Sequence, residues 1–214
     1  MLKGLAAVLG VALLGMGWAG CEQAYFPVKE GWVWTYKSSP EGKTQTMRFS
    51  GVSPAGFTYV TQLSNGSVET RWKCEAGGLA ALEFASSNLG GQNQSVNFKT
   101  VGRKGVMLPN TLGVGSQWSY SFTLEGAMSG GTLTDHMETL NKAVGLETIT
   151  VPAGTFKALK VESTSTLKMG MNVGGKTRDL PSNTIQSTSW YAKGVGMVKS
   201  VTAGVTLELV SLKK

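Results

Sequence analysis

Gln117-Trp-Ser-Tyr-Ser-Phe-Thr-Leu-Glu125 puts Trp118, Tyr120, Phe122 and Leu124 at every second position, with small or polar residues between them. A period of two places the four apolar side chains on one face of an extended strand, and no helix aligns them. The pattern recurs outward from this stretch. Trp32-Val-Trp-Thr-Tyr36 opens it, and Phe156-Lys-Ala-Leu-Lys-Val-Glu162 and Ser189–Ser200 continue it. Val205–Leu212 ends it. Phe57–Leu63 and Ser67–Cys74 flank Asn65-Gly66, a strong hairpin signal. Gly90-Gly91, Gly130-Gly131 and Gly174-Gly175 break the runs. The reading is an all-β chain: a strongly curved antiparallel sheet, a half-barrel or a sandwich, with at most one short helix. That helix would lie over residues 133–145. Leu133, Met137, Leu140 and Val144 have helical spacing, Asp135 and Glu138 resemble a capping box, and Gly145 is a stop. The same residues fit a long strand, which the surrounding strands favour.

The chain echoes itself. Gly31-Trp-Val-Trp-Thr-Tyr36 matches Gly115-Ser-Gln-Trp-Ser-Tyr120, and Pro54-Ala-Gly56 before Phe57 matches Pro152-Ala-Gly154 before Phe156. Thr70-Arg-Trp72 matches Thr188-Ser-Trp190 in the same order. This predicts two related meanders, residues 31–107 and 108–214, packed as one unit. The matches are short, and coincidence is the alternative.

Residues 1–20 read as a secretion signal: Lys3 is the positive start, Leu5–Leu14 the apolar run, and Gly15–Gly20 the segment of mostly small residues. The run is too short to span a membrane as a helix. Ala19-Gly20-Cys21 fits the lipobox at which a bacterial lipoprotein is cleaved and its cysteine acylated. Trp18 departs from it, since an aliphatic residue is expected there. Cys21 is the expected lipid anchor, with residues 21–30 as the tether. The competing reading is cleavage after Ala19 and a Cys21–Cys74 disulfide, for these are the only two cysteines. The expected location is the cell envelope, anchored to the membrane through Cys21; under the competing reading the chain is a soluble exported protein.

The net charge of +7 is spread over single lysines, with no basic run. Nucleic acid is not an expected partner. Gly170-Met-Asn-Val-Gly-Gly-Lys-Thr177 matches a phosphate-loop string. That loop needs a helix starting at the lysine, and Pro181 and the missing periodicity argue for a hairpin turn instead. His136 is the one histidine, and its neighbour Asp135 points to the opposite strand face. Too few histidines and thiols remain for a zinc site, and Met169 and Met171 read as a greasy strand face. Asn65-Gly-Ser67 and Asn93-Gln-Ser95 are turn residues rather than glycan acceptors. No enzyme, cofactor or metal is expected.

Val151-Pro-Ala-Gly-Thr-Phe-Lys-Ala-Leu-Lys-Val161 followed by Trp190-Tyr-Ala-Lys-Gly-Val-Gly-Met-Val-Lys199 resembles a class of uncharacterised bacterial envelope lipoproteins. The resemblance is most specific over residues 108–200. It implies a curved antiparallel sheet, reminiscent of periplasmic lipid carriers, and transfers no catalytic residue. Two functions follow. The first is a binding module for a lipid or other apolar ligand, held by the repeated aromatics Trp34, Tyr36, Trp118, Tyr120 and Trp190. The second is a structural or interaction protein of the envelope, in which those rings are ordinary core. The expected partners are the membrane, through the N-terminal lipid, and an apolar ligand or another envelope protein. The oligomeric state is open.

Overall fold

The computed structural model describes residues 21–87, 96–128 and 131–214. The signal at residues 1–20, the Gly90-Gly91 break, Gly130 and the Asn93 sequon fall outside them. Every regular element among the described residues is a strand. The first half of the chain supplies β1 (Val33–Ser39), β2 (Thr44–Ser53), β3 (Gly56–Leu63), β4 (Gly66–Glu75), β5 (Gly78–Ser87) and β6 (Val96–Gly105). A short β7 (Leu108–Pro109) follows. The second half supplies β8 (Gln117–Met128), β9 (Gly131–Val151), β10 (Gly154–Val173), β11 (Lys176–Asp179), β12 (Asn183–Ala192), β13 (Gly196–Thr202) and β14 (Val205–Lys213). The segment with helical spacing, residues 133–145, lies inside β9. Twenty-one residues of strand pair with β8 and β10, which helix propensity in a short run cannot match.

The sheet closes. In order around the ring stand β10, β12, β13, β14, β1, β2, β3, β4, β5, β6, β8 and β9, and β9 pairs with β10. This is a twelve-stranded antiparallel barrel, so the expected half-barrel or sandwich is corrected to a closed one. β7 and β11 add on to β5 and β10 outside the ring. The first strand seals against the last, from Val33 opposite Lys213 to Ser39 opposite Thr206. Closure leaves no unpaired edge in the ring, the physical advantage a half-barrel forgoes. Each half of the chain gives six staves. Pro54-Ala-Gly56 turns β2 into β3, and Pro152-Ala-Gly154 turns β9 into β10. The second hairpin is far longer. Its tip packs on β14, where the Ala153 N–H donates to the Leu209 carbonyl at 3.0 Å.

Alternation turns most of the aromatics inward and most of the charges outward. Trp34, Tyr36, Phe49, Phe57 and Phe122 are buried, while Arg71–Glu83 and Lys199–Glu208 form ion pairs at 3.0 and 2.8 Å on the outer face. A membrane-spanning barrel has the reverse polarity, with an apolar band outside. The described residues also include no helix long and apolar enough to cross a membrane.

A barrel of about eight strands is just wide enough for its own side chains to fill, so twelve strands leave room over. The N-terminal segment takes part of it. Cys21, Gln23, Tyr25, Pro27 and Val28 are buried. Phe26 stacks among Phe49, Phe57, Tyr59 and Trp72, with ring centroids 5.4, 6.4, 6.3 and 6.0 Å away. The Gln23 amide donates to the Leu108 carbonyl at 3.3 Å. Residues 21–30, expected as a tether, are therefore a plug in the barrel end. Their apolar side chains bury more favourably in the wide lumen than they would dangle in water.

Candidate functional site

Among the described residues, two cavities inside the barrel share Phe26 and Tyr191 in their lining. The first is aromatic, with a volume of about 130 Å³, and is lined by Trp34, Tyr36, Met47, Phe49, Tyr59 and Met197 together with those two rings. Strands β1, β2 and β3 present these side chains because their inward positions are nearly all aromatic or methionine. The polar tips are mostly satisfied within the wall. Trp34 Nε1 donates to the Val195 carbonyl at 2.7 Å, the Tyr36 hydroxyl to the Met197 carbonyl at 2.7 Å, and the Tyr59 hydroxyl to Met47 Sδ. Burial pushes the phenols of Tyr36, Tyr59 and Tyr191 upward, so all three stay neutral and none serves as a base at ordinary pH.

The second cavity, about 220 Å³, has a different lining. Trp72, Trp118 and Tyr120 form one side. Thr139, Asn141, Ser163, Ser165, Ser187 and Ser189 form the other, as an inward row of short polar side chains from β9, β10 and β12. Thr139 bonds Ser165 hydroxyl to hydroxyl at 2.9 Å, and the Ser163 hydroxyl donates to Asn141 Oδ1 at 2.7 Å. Trp118 Nε1 donates to the Met107 carbonyl at 3.1 Å. Two buried donors in this lining, Trp72 Nε1 and Asn141 Nδ2, have no hydrogen-bond partner. Among the described residues, no Asp, Glu, Lys, Arg or His lines either cavity.

Of the five aromatics expected to bind a ligand, Trp34 and Tyr36 line the first cavity, and Trp118 and Tyr120 the second. Trp190 does not join them, which corrects that expectation. Its partners across β12 are Lys160 and Lys199, on the outer face. There its Nε1 donates to Glu147 Oε2 at 2.8 Å, and Lys160 Nζ reaches Glu147 at 3.2 Å. Tyr191, the next residue, is the one that faces in. Both strands of the repeat carry a tryptophan, but Trp72 is inside and Trp190 outside, so the repeat's parity breaks on β12. The sequence reading also missed Phe26, Tyr59, Trp72 and Asn141. The signal for the polar wall was present in Ser163-x-Ser165 and Ser187-x-Ser189, a period of two written in serine.

Cys21, the expected lipid anchor, is bonded to Cys74 in a disulfide, with Cα atoms 5.2 Å apart. Cys21 is 4% exposed. A sulfur in a disulfide has no valence left for a thioether to lipid, so the structure takes the alternative that the cysteine count left open. The bond ties the plug to β4, two residues beyond Trp72. The phosphate-loop string closes the β10–β11 hairpin: Gly174 and Gly175 turn at φ 58° and 78°, with no helix to cradle an anion. His136 bonds Thr123 Oγ1 at 2.9 Å.

Asp135, on β9 opposite the buried Leu124, has one buried carboxylate oxygen unpartnered. Burial pushes its carboxyl upward, and the neighbouring His136 opposes this. A raised folded-state value gives stability that is complete at low pH and lost as pH rises through it. Asp135→Asn is therefore expected to raise the melting temperature at about pH 7 and to leave it unchanged near pH 3. Melts at the two pH values check this, and an equal shift at both would refute it.

A family model described as DUF3108-like matches residues 79–212, more than half of the chain. No curated protein matches the sequence. Solved structures are similar, three of them as follows. A protein described as exported, with a YmcC-like fold, from Bacteroides fragilis NCTC 9343 aligns with a TM-score of 0.51 and 18% identity, over 90% of this chain and 100% of that one. A protein described as a lipoprotein from Parabacteroides distasonis ATCC 8503 gives 0.48 and 17%, over 90% and 99%. The hypothetical lipoprotein YmcC from Escherichia coli K12 gives 0.42 and 11%, over 88% and 89%. At such identities the first likeness is one of fold.

Proposed function

The chain belongs to the DUF3108-like family, and we propose that it is an exported, non-catalytic binding protein whose barrel lumen holds an apolar ligand. The aromatic cavity between the plug and strands β1–β3 carries this reading. It is uncharged and lined by rings and methionines, the lining that small apolar ligands select. Among the described residues, neither cavity lining includes a carboxylate, lysine or histidine to act as a base, and the phenols are neutral. Export rests on the apolar run at residues 5–14 and on a disulfide that persists only in an oxidising compartment. The buried bond supports a mature protein held to its own barrel through Cys74. A second reading, a lipid-tethered form with Cys74 as a free thiol, is favoured by Ala19-Gly20-Cys21. Intact mass decides between them: two hydrogens short of the reduced chain for the first, a gain of acyl chains for the second.

The test of binding is a titration of the delipidated mature protein with N-phenyl-1-naphthylamine, a neutral apolar dye. Saturable binding with a blue-shifted emission is the expected result. A linear, unsaturable signal would overturn the proposal and favour an envelope protein acting through its outer surface.

A further inference from the structure

The second cavity is built for something other than hydrocarbon. In its polar wall Thr139 pairs with Ser165 and Ser163 with Asn141, yet two donors of the lining residues are buried and idle, the indole N–H of Trp72 and the amide N–H of Asn141. Buried donors are nearly always paired, and an unpaired one costs the fold its full desolvation penalty. Two in one cavity lining imply an acceptor that enters from outside. The acceptor is not an anion. Among the described residues no cation lines the space, and an unpaired carboxylate would forfeit its hydration there without return. The adjoining aromatic cavity is apolar and meets this one at Phe26 and Tyr191. One molecule can therefore use both, with a neutral oxygen at one end and an apolar body at the other.

We propose that the lumen takes a neutral amphiphile whose ester or amide carbonyl accepts from Trp72 Nε1 and Asn141 Nδ2 while its apolar part fills the aromatic cavity. This rests on the binding reading above and names the ligand class for that site. Trp72 also stacks on Phe57 with centroids 5.8 Å apart and planes 8° from parallel, so its ring position is set by packing, and a small shift of the cavity wall is enough to uncover its buried N–H. Asn141 is held through its Oδ1 by Ser163, which orients the idle Nδ2.

The experiment displaces N-phenyl-1-naphthylamine from the mature protein with three chains of similar length: methyl laurate, tetradecane, and laurate at about pH 8. The ester is expected to compete at a concentration about tenfold or more below the other two. Trp72→Phe keeps a ring on Phe57 and removes only the donor. It is expected to cut the ester-to-alkane preference by about tenfold, and Asn141→Leu to cut it as well. Urea melts of both variants confirm the fold. Without its idle donor, ligand-free Trp72→Phe is expected to be at least as stable as the parent. If the dye binds but ester and alkane compete equally, or Trp72→Phe keeps the preference, the donors serve internal water and the ligand class is wrong. If the dye itself fails to bind, the binding reading falls first and takes this inference with it.

Discussion

Cys74→Ser is expected to lower the unfolding free energy by about 4 kcal/mol, because the bond to Cys21 closes a loop of 53 residues in the unfolded chain. In a protein of this size that is a fall of roughly 10 °C in melting temperature. The native state loses too, since Cys21 begins the plug that carries Gln23, Tyr25 and Phe26 into the barrel end. Cys21→Ser should cost the same, and the double variant no more than either single one, because both act through one bond. Urea midpoints of the three variants check this. A Cys74→Ser variant as stable as the parent would mean that the bond does not form, and would return Cys21 to the role of lipid anchor.

Phe26→Ala should cost about 3 kcal/mol. The ring touches four aromatic neighbours in the lumen, each such pair adding about 0.5–1.5 kcal/mol beyond the area it buries. It also lines both cavities where they meet. Its loss widens that junction, so a bulkier dye than the parent accepts should bind, even as the urea midpoint falls. Phe26→Leu keeps much of the volume and should lose less than half as much stability. A Phe26→Ala variant with an unchanged midpoint would show that residues 21–30 do not plug the barrel.

Both predictions turn on a segment whose sequence reads as a tether. Glu22-Gln-Ala-Tyr-Phe-Pro27 has no strand period, so nothing local says where it goes. It is buried because twelve staves leave a lumen that the strands alone do not fill. Trp190 and Tyr191 show the same limit at the scale of one residue. Both are aromatic, both sit on β12, and only the register against β10 decides that the tyrosine faces in. Where the alternation contrasts rings with polar residues, as from Gln117 to Glu125, the inward face is legible. Where it runs Ser-x-Ser, as at Ser187 and Ser189, both faces look alike and the polar wall stays hidden.

The amino-acid sequence by itself determined the all-β class, the hairpin turns, the absence of a phosphate loop and four of the cavity aromatics. Each is a local matter: side-chain period, glycine at a positive φ, proline before a strand. The tertiary structure decided the closure of the barrel, the plug, the disulfide and the pairing of idle donors beside one cavity. Closure depends on β1 meeting β14 at opposite ends of the chain, and the cavity on five or six strands facing one another across the lumen. Such contacts are set by the total width of the ring and by strand register. Neither is a property that any one stretch of sequence carries.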